Sequence, residues 1–418
     1  MANELFTNTH NAYSGRALLI VLLICVTVRF EFATSSSNVT HVDGNVSCTI
    51  VNLTSDSELQ NYSFLTNSTE ELIFNMATVD VLNLTTPLSY ITPWRVLISN
   101  SNLTRVVFPA QMSPSVVHLL KTDVEEVHFE DNNSLQNFRA EYTSLRAISP
   151  TVSKLHALET LWVSGSQLTS INFDLLQNST VSLLYLVGNR IEMVTISPGV
   201  VCCQQLEELF LSNNLLKQID LGIVARMSNL KVLLLENNKL TDVYALISNQ
   251  NRSQSSDAAE YINGEIYCSW RQHYIKQENA EQELETPNCT DYYATLLSIS
   301  LARNNLVQVN FSAFSWMNNL NLLDLSRNHL ISLTASNGEV PLRLSELFAS
   351  NNNIADVHLR PLTAMKAVYL YDNNVRVLNM SDLPEALDYL NLINNPVNCD
   401  ELSHKSASLP ILGPFTEC

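Results

Sequence analysis

One eleven-residue pattern recurs along this chain. Leucine stands at its first, fourth, sixth and eleventh positions and asparagine at its ninth. Leu206–Leu216, Leu230–Leu240 and Leu320–Leu330 all carry it. Working outward from these three places further starts near Thr69, Pro93, Pro114, Leu135, Leu158, Val181, Leu296, Leu344, Met365 and Leu387. The spacing is about 21 to 25 residues apart from one long gap. A unit of that size cannot bury its own apolar face. It must stack on its neighbours, so the pattern dictates a solenoid.

The pattern is that of the leucine-rich repeat, which predicts an α/β fold: a curved solenoid with parallel strands on its concave face. Its first, fourth, sixth and eleventh positions point inward, and the strand residues between them point out. The ninth-position Asn sits at the turn, where its amide can satisfy backbone groups of adjacent coils that burial would leave unpaired. Asn fills that place at Asn189, Asn214, Asn238, Asn304, Asn328, Asn352, Asn373 and Asn395. The earlier coils have Ala77, Ser101, Thr122, Thr143 and Ser166 instead. Hydroxyls substitute in part and Ala77 not at all. The ladder is therefore expected to be strong over the C-terminal two thirds and weaker before it.

Residues 17–28 are apolar except Thr27 and end at Arg29, which suits a signal peptide over residues 1–35 with small residues at Ala33-Thr34-Ser35. An uncleaved anchor is the alternative. No later stretch is long and apolar enough to span a membrane. Sequons begin at Asn38, Asn45, Asn52, Asn61, Asn67, Asn83, Asn102, Asn132, Asn178, Asn251, Asn288, Asn310 and Asn379. So many in an exported chain predict a glycosylated surface. They are densest towards the N-terminus, over a leader or cap at 36–68. Repeats occupy 69–246 and 294–397, with an inserted loop at 247–293 and a cysteine cap at 398–418.

Net charge is −18, from 23 Lys and Arg against 41 Asp and Glu. That balance argues against binding nucleic-acid phosphates or anionic lipid. Eight cysteines are present, and Cys25 leaves with the signal. Cys268 with Cys289 would close the inserted loop, and Cys399 with Cys418 would seal the last coil. Cys48, Cys202 and Cys203 remain. Adjacent cysteines seldom bridge each other, so one of these three is expected to stay unpaired or to join another chain. Within the loop, Tyr267, Trp270 and Tyr274 are either partner anchors or loop packing.

The fifth position of successive coils points outward from the strands. Trp162, Tyr185, Phe210 and Leu234 put large apolar groups there in four consecutive coils, and neighbouring strands lie about 4.8 Å apart. Phe348, Tyr369, Tyr371 and Tyr389 form a second aromatic patch. Contiguous exposed apolar surface marks interaction sites, although cross-strand aromatic pairs also stabilise sheets. His118 and Arg139 adjoin the first patch, where they would steer an acidic partner.

No phosphate loop, nucleophile elbow or clustered His/Cys ligand set occurs. The expectation is a non-enzyme with no cofactor and no metal. The repeats and the Asn395-Pro-Val-Asn-Cys399 cap resemble extracellular leucine-rich-repeat proteins. The irregular coils and the Cys202-Cys203 pair look most like the secreted leucine-rich-repeat immune proteins of mosquitoes, of the short type without a coiled coil. That resemblance implies a role in innate immunity. The partners it implies are complement-like thioester proteins or another leucine-rich-repeat chain. The reading is a secreted, extracellular glycoprotein that binds a protein partner on its concave face. The alternative is a receptor or adhesion-type ectodomain held by an uncleaved N-terminal anchor.

Overall fold

The computed structural model describes residues 38–41, 47–55, 59 and 69–397, less 86–87, 89–90, 133, 198–199, 201, 225–226, 338–339 and, of 246–294, all but 260–262, 265–267 and 274–276. The signal segment, the cap at 398–418 and Cys268, Cys289, Cys399, Cys418 and Trp270 lie outside these residues. So do Asn45, Asn61, Asn67, Asn251 and Asn288.

The fold is a leucine-rich-repeat solenoid built on one sheet of fifteen strands. The first pair, Asn38–His41 with Ser47–Val51, is antiparallel. From Ser47–Val51 to Tyr389–Asn391 every pairing is parallel, one strand per coil. Strands near the N-terminal end run five residues, as at Glu71–Asn75 and Thr160–Ser164. From Leu183–Tyr185 onward they shorten to three. Smaller parallel sheets and short 3-10 helices close the coils on the other side, such as Val81–Asn83 with Arg105–Phe108 and the helix Phe311–Phe314. No α-helix occurs among the described residues, and none there is long and apolar enough to cross a membrane.

The inward leucine positions stack into one continuous core. Leu161, Leu184, Leu209, Leu233, Ile299, Leu323 and Leu347 are buried in succession. Towards the N-terminus phenylalanine takes over part of this role. Phe108 stacks on Phe129 at 5.3 Å, and Phe129 meets Phe138 edge-on at the same distance.

The asparagine ladder follows the sequence. Asn214 Nδ2 donates to the carbonyls of Leu186 and Leu211 at 2.9 and 3.0 Å, while its Oδ1 accepts from the N–H of Ile191 at 3.0 Å. Each such side chain ties three or four backbone groups that would otherwise lack partners. The same set recurs from Asn189 to Asn395. In the earlier coils hydroxyls do less. Ser101 Oγ accepts from the N–H of Ala77 at 3.0 Å, Thr143 and Ser166 bond each other at 2.8 Å, and the buried Thr122 hydroxyl has no partner.

The residue just before each ladder position takes a left-handed conformation, from Asn52 through Tyr142, Gly165 and Gly188 to Asn394. Its N–H continues the sheet's hydrogen bonding, as Asn213 does to Glu236 O at 2.8 Å. Asn and Gly tolerate this conformation. Met76, Lys121, Tyr142, Arg303 and Arg327 adopt it as well, because the tertiary stack overrides local preference.

Candidate protein-binding face

The pairing register aligns the outward fifth positions in one row. His118 pairs with Arg139, Arg139 with Trp162, Trp162 with Tyr185, Tyr185 with Phe210 and Phe210 with Leu234. The row continues through Ser300, Asp324, Phe348 and Tyr369 to Asn391. From Glu71 onward no strand of the long sheet contains a sequon asparagine. Asn83 lies in a strand of another sheet, and Asn310 and Asn379 cap short helices away from the long sheet. Asn102 and Asn178 are exposed in turns, and Asn52 directly follows its strand. Asn132 differs from all of these. It is buried, its Nδ2 faces Met112 O, and its Oδ1 accepts from the N–H groups of Ser134 and Leu135. The amide of Asn132 therefore has no room for a sugar, which corrects the expectation for that sequon.

The first aromatic cluster is a packed stack. Trp162 and Tyr185 lie 3.6 Å apart at 11°, and Phe210 meets Tyr185 edge-on at 5.5 Å. Trp162 Nε1 donates to Ser164 Oγ at 2.9 Å, which fixes the indole. The Arg139 guanidinium covers the other side of the indole, 4.5 Å from the ring centroid. Burial, with the charge of Glu141 behind it, raises the Tyr185 hydroxyl above its ordinary pKa.

His118 and Arg139 do not stand free for an acidic partner. Both reach Glu141 Oε1, each at 3.1 Å. The His118 imidazole is the main cause that holds the Glu141 carboxyl below the usual range; burial opposes it and the Arg139 charge adds to it. This corrects the expectation drawn from the two basic residues alone. Glu141 sits two residues beyond Arg139 on the same strand, and the next outward row supplies the neutralising charge.

Tyr142 is a residue the sequence reading passed over. It is 61% exposed at φ 55°, and its ring lies over Gly165, where a Cβ would come within 2.7 Å of Cδ1. Gly165 has φ 57°, and Gly188 follows in the next coil. The signal was present as two glycines at successive turn positions in a chain that has only nine.

The second cluster holds three of its four expected members. Phe348 stacks on Tyr369 at 4.3 Å and 7°, and Tyr369 meets Tyr389 at 5.1 Å. Tyr389 belongs to the adjacent row, since it pairs with Ala367. Tyr371 lies past the end of its strand, where its carbonyl accepts from Asn351 N. Four strand steps separate Phe210 from Phe348, about 19 Å at ~4.8 Å per step.

Between the clusters the row is polar and buried. Ser300 is fully buried, its hydroxyl has no partner, and Asp324 is 9% exposed. Asp324 Oδ1 accepts from Ser326 N at 2.8 Å. Burial pushes the Asp324 carboxyl up to about 6 against that hydrogen bond. Nothing in the sequence distinguished this Asp from the chain's other acids.

Of the three remaining cysteines Cys48 is the unpaired one, and it is the adjacent pair that departs from expectation. Cys202 and Cys203 bridge each other. Both are buried, and Cys203 takes a left-handed turn at φ 60° that feeds the next strand, its carbonyl accepting from Leu206 N at 3.0 Å. That turn allows adjacent sulfurs to meet. Cys48 is free but buried in the strand Ser47–Val51, and burial pushes its thiol up to about 11. A buried, protonated thiol is inert towards other chains. Neither the adjacent pair nor Cys48 is thus available for an intermolecular bridge. Among the described residues no group of three or more His, Cys, Asp or Glu is placed to hold a metal.

No family model matches the chain. Tsukushi of Xenopus tropicalis is 32% identical over 92 residues, which are 21% of this chain and 26% of that protein. The match thus spans about a quarter of the relative's length. Among solved structures, the leucine-rich repeat domain of APL1B is 15% identical with a TM-score of 0.47, covering 99% of this chain and 94% of that one. A leucine-rich repeat protein from Bacteroides eggerthii is 13% identical with a TM-score of 0.46, covering 82% of this chain and 57% of that one. The Toll–Spätzle complex of Drosophila gives 16% identity and a TM-score of 0.36, covering 92% of this chain and 60% of that one.

Proposed function

We propose that this chain is a secreted, glycosylated leucine-rich-repeat binding protein that takes a protein partner on the outward face of its long sheet. The supporting observation is a coincidence of two patterns. From Glu71 onward no strand of the long sheet holds a sequon asparagine, and that stretch of the sheet carries both aromatic clusters. A stretch of face whose strands hold no sugar attachment point and which is lined by large rings suits a protein partner. The apolar segment at 17–28 and the sequons support export. The resemblance to secreted mosquito immune proteins supports extracellular innate immunity as the setting. The role is non-catalytic.

Two measurements test this reading. Expression of the full chain in insect cells should give a soluble glycoprotein in the medium whose N-terminus lies near Ser36. Retention on cells with Ala2 intact would replace it with an anchored ectodomain. Trp162→Ala combined with Phe210→Ala should abolish capture of the partner that the wild type takes from cell-free haemolymph, with secretion unchanged. Equal capture would remove the first cluster from the interface.

A further inference from the structure

Arg303 and Arg327 stand side by side where the strands of two consecutive coils end. The N–H of Arg303 donates to Ser326 O at 2.9 Å, and that of Arg327 to Ser350 O at 2.8 Å. The two therefore follow each other in one column, about 4.8 Å apart at the backbone. Both are exposed. Arg95, Arg105, Arg139, Arg146 and Arg360 each reach a glutamate carboxylate. That is the ordinary outcome in a chain with 41 acids and 23 basic residues. Among the described residues Arg303 and Arg327 reach none. Glu236 lies one coil before Arg303, and Asp324 ends the strand that leads to Arg327, yet neither forms an ion pair with them.

Two further observations single out this pair. Both arginines hold a left-handed turn, at φ 56° and 57°, which most side chains adopt only at a cost. Asn213, Asn237, Asn351 and Asn394 fill the same place in other coils more easily. The stack enforces the turn, but it does not call for arginine. The inner neighbours of the column are Ala302, Ser326 and Ser350, too short to cover a guanidinium. The second aromatic cluster begins on the very next strand, at Phe348. Two uncovered cations thus border one end of the ring-lined face.

The guanidinium selects its occupant. Its planar fork matches a carboxylate with two parallel hydrogen bonds. A long polyanion would need a track of cations, but the column continues as Asn351 and Asp372 on one side and Asn237 on the other. The net charge of −18 repels such a polymer as well. We propose that Arg303 and Arg327 are the position at which this face takes an acidic side chain, aspartate or glutamate, of its protein partner. The site rests on the binding-face reading above and adds a specificity element to it. It supplies the recognition of acid that His118 and Arg139, held by Glu141, do not.

Random peptides displayed on phage and selected against the secreted full chain test this. Peptides that bind near the second cluster, and so weaken with Tyr369→Ala, should share an Asp or Glu. Arg303→Asn combined with Arg327→Asn should weaken them at least tenfold while the unfolding midpoint holds or rises, since Asn accepts the turn more readily. Arg303→Lys with Arg327→Lys keeps the charge without the fork and should fall between. Replacing the shared acid by its amide should cost the same tenfold on wild type and nothing further on the double Asn variant. Arg376→Asn, at an exposed arginine elsewhere, should change nothing. Acidic peptides that bind the double Asn variant as well as wild type overturn the proposal. So does an equal loss with Arg376→Asn, or a fall in the midpoint that makes the arginines structural. Retention on immobilised heparin that the double variant loses, with no shared peptide acid, assigns the pair to a polyanion and overturns it too. Peptides that need Tyr369 or Trp162 but ignore both arginines overturn this site and leave the face intact. If no selected peptide depends on either ring, the face reading fails, and the site with it.

Discussion

The N–H of Leu240 donates to Asn304 Oδ1 at 3.0 Å across 64 residues of sequence. Asn304 Nδ2 returns to Leu235 O at 3.0 Å, and Leu233 pairs with Ile299 in the long sheet. The coils on either side of the insertion are therefore direct neighbours, and the solenoid runs through unbroken. Replacing 247–293 by a short Gly/Ser linker should leave the unfolding midpoint nearly unchanged. Asn304→Ala should instead cost about 3 kcal/mol or more, because four backbone groups lose a partner. Denaturant unfolding of both variants checks the pair; a larger loss from the deletion than from Asn304→Ala would refute it.

Gly165 is held by the ring of Tyr142 as well as by its own backbone. Gly165→Ala should destabilise by roughly 1–3 kcal/mol, from the left-handed φ and the 2.7 Å approach to Tyr142. Adding Tyr142→Ala should recover the part due to the ring and leave the part due to φ. A double-mutant cycle with no coupling would show that the ring moves away freely.

Asp324 makes stability depend on pH in the direction opposite to a paired acid. Its folded pKa, about 6, lies above the unfolded value near ~3.9, so the folded chain binds more protons between the two. Stability therefore falls as pH rises from about 4 to about 6, and the deficit is fully present above that window. The displacement corresponds to about 3 kcal/mol. Asp324→Asn should raise stability by ~1–3 kcal/mol near pH 7.5 and give no gain near pH 3.5, where the wild-type carboxyl is neutral. Thermal unfolding at the two pH values measures this, and an equal gain at both would contradict the account.

The cysteine chemistry gives a direct mass-spectrometric check. Alkylation of the native protein near pH 8 should leave Cys48 unmodified, because it is buried and its thiol is pushed up to about 11. Denaturation without reductant should expose it at once. The peptide with Cys202 and Cys203 should label only after reduction. Labelling of either residue in the native, unreduced chain would contradict the bridge.

The repeat pattern made the inward stack and the outward row legible, because leucine spacing assigns each strand residue to a side. It also made the weak N-terminal ladder legible, since Ala77 and Thr122 cannot do the work of an asparagine amide. Cross-strand relationships were less visible. Tyr389 fell into the adjacent row because each strand presents two outward residues, and only the register separates them. Glu141 meets Arg139 from two residues along the same strand, which the spacing held, but it meets His118 through a contact between coils, which no spacing within one repeat encodes. Asp324 reads as one of many surface acids until its neighbours across the sheet bury it. The Cys202–Cys203 bridge depends on a left-handed turn that the flanking residues do not announce.

The column of left-handed residues along one edge of the sheet has a practical consequence for engineering. Met76, Lys121, Arg303 and Arg327 hold a conformation that costs most side chains about 1–2 kcal/mol each. Asn and Gly fill the same place in other coils without that cost. Consensus replacement at Met76 and Lys121 would therefore harden the molecule in additive steps while leaving the proposed binding site untouched, and at Arg303 and Arg327 it would trade that site for stability.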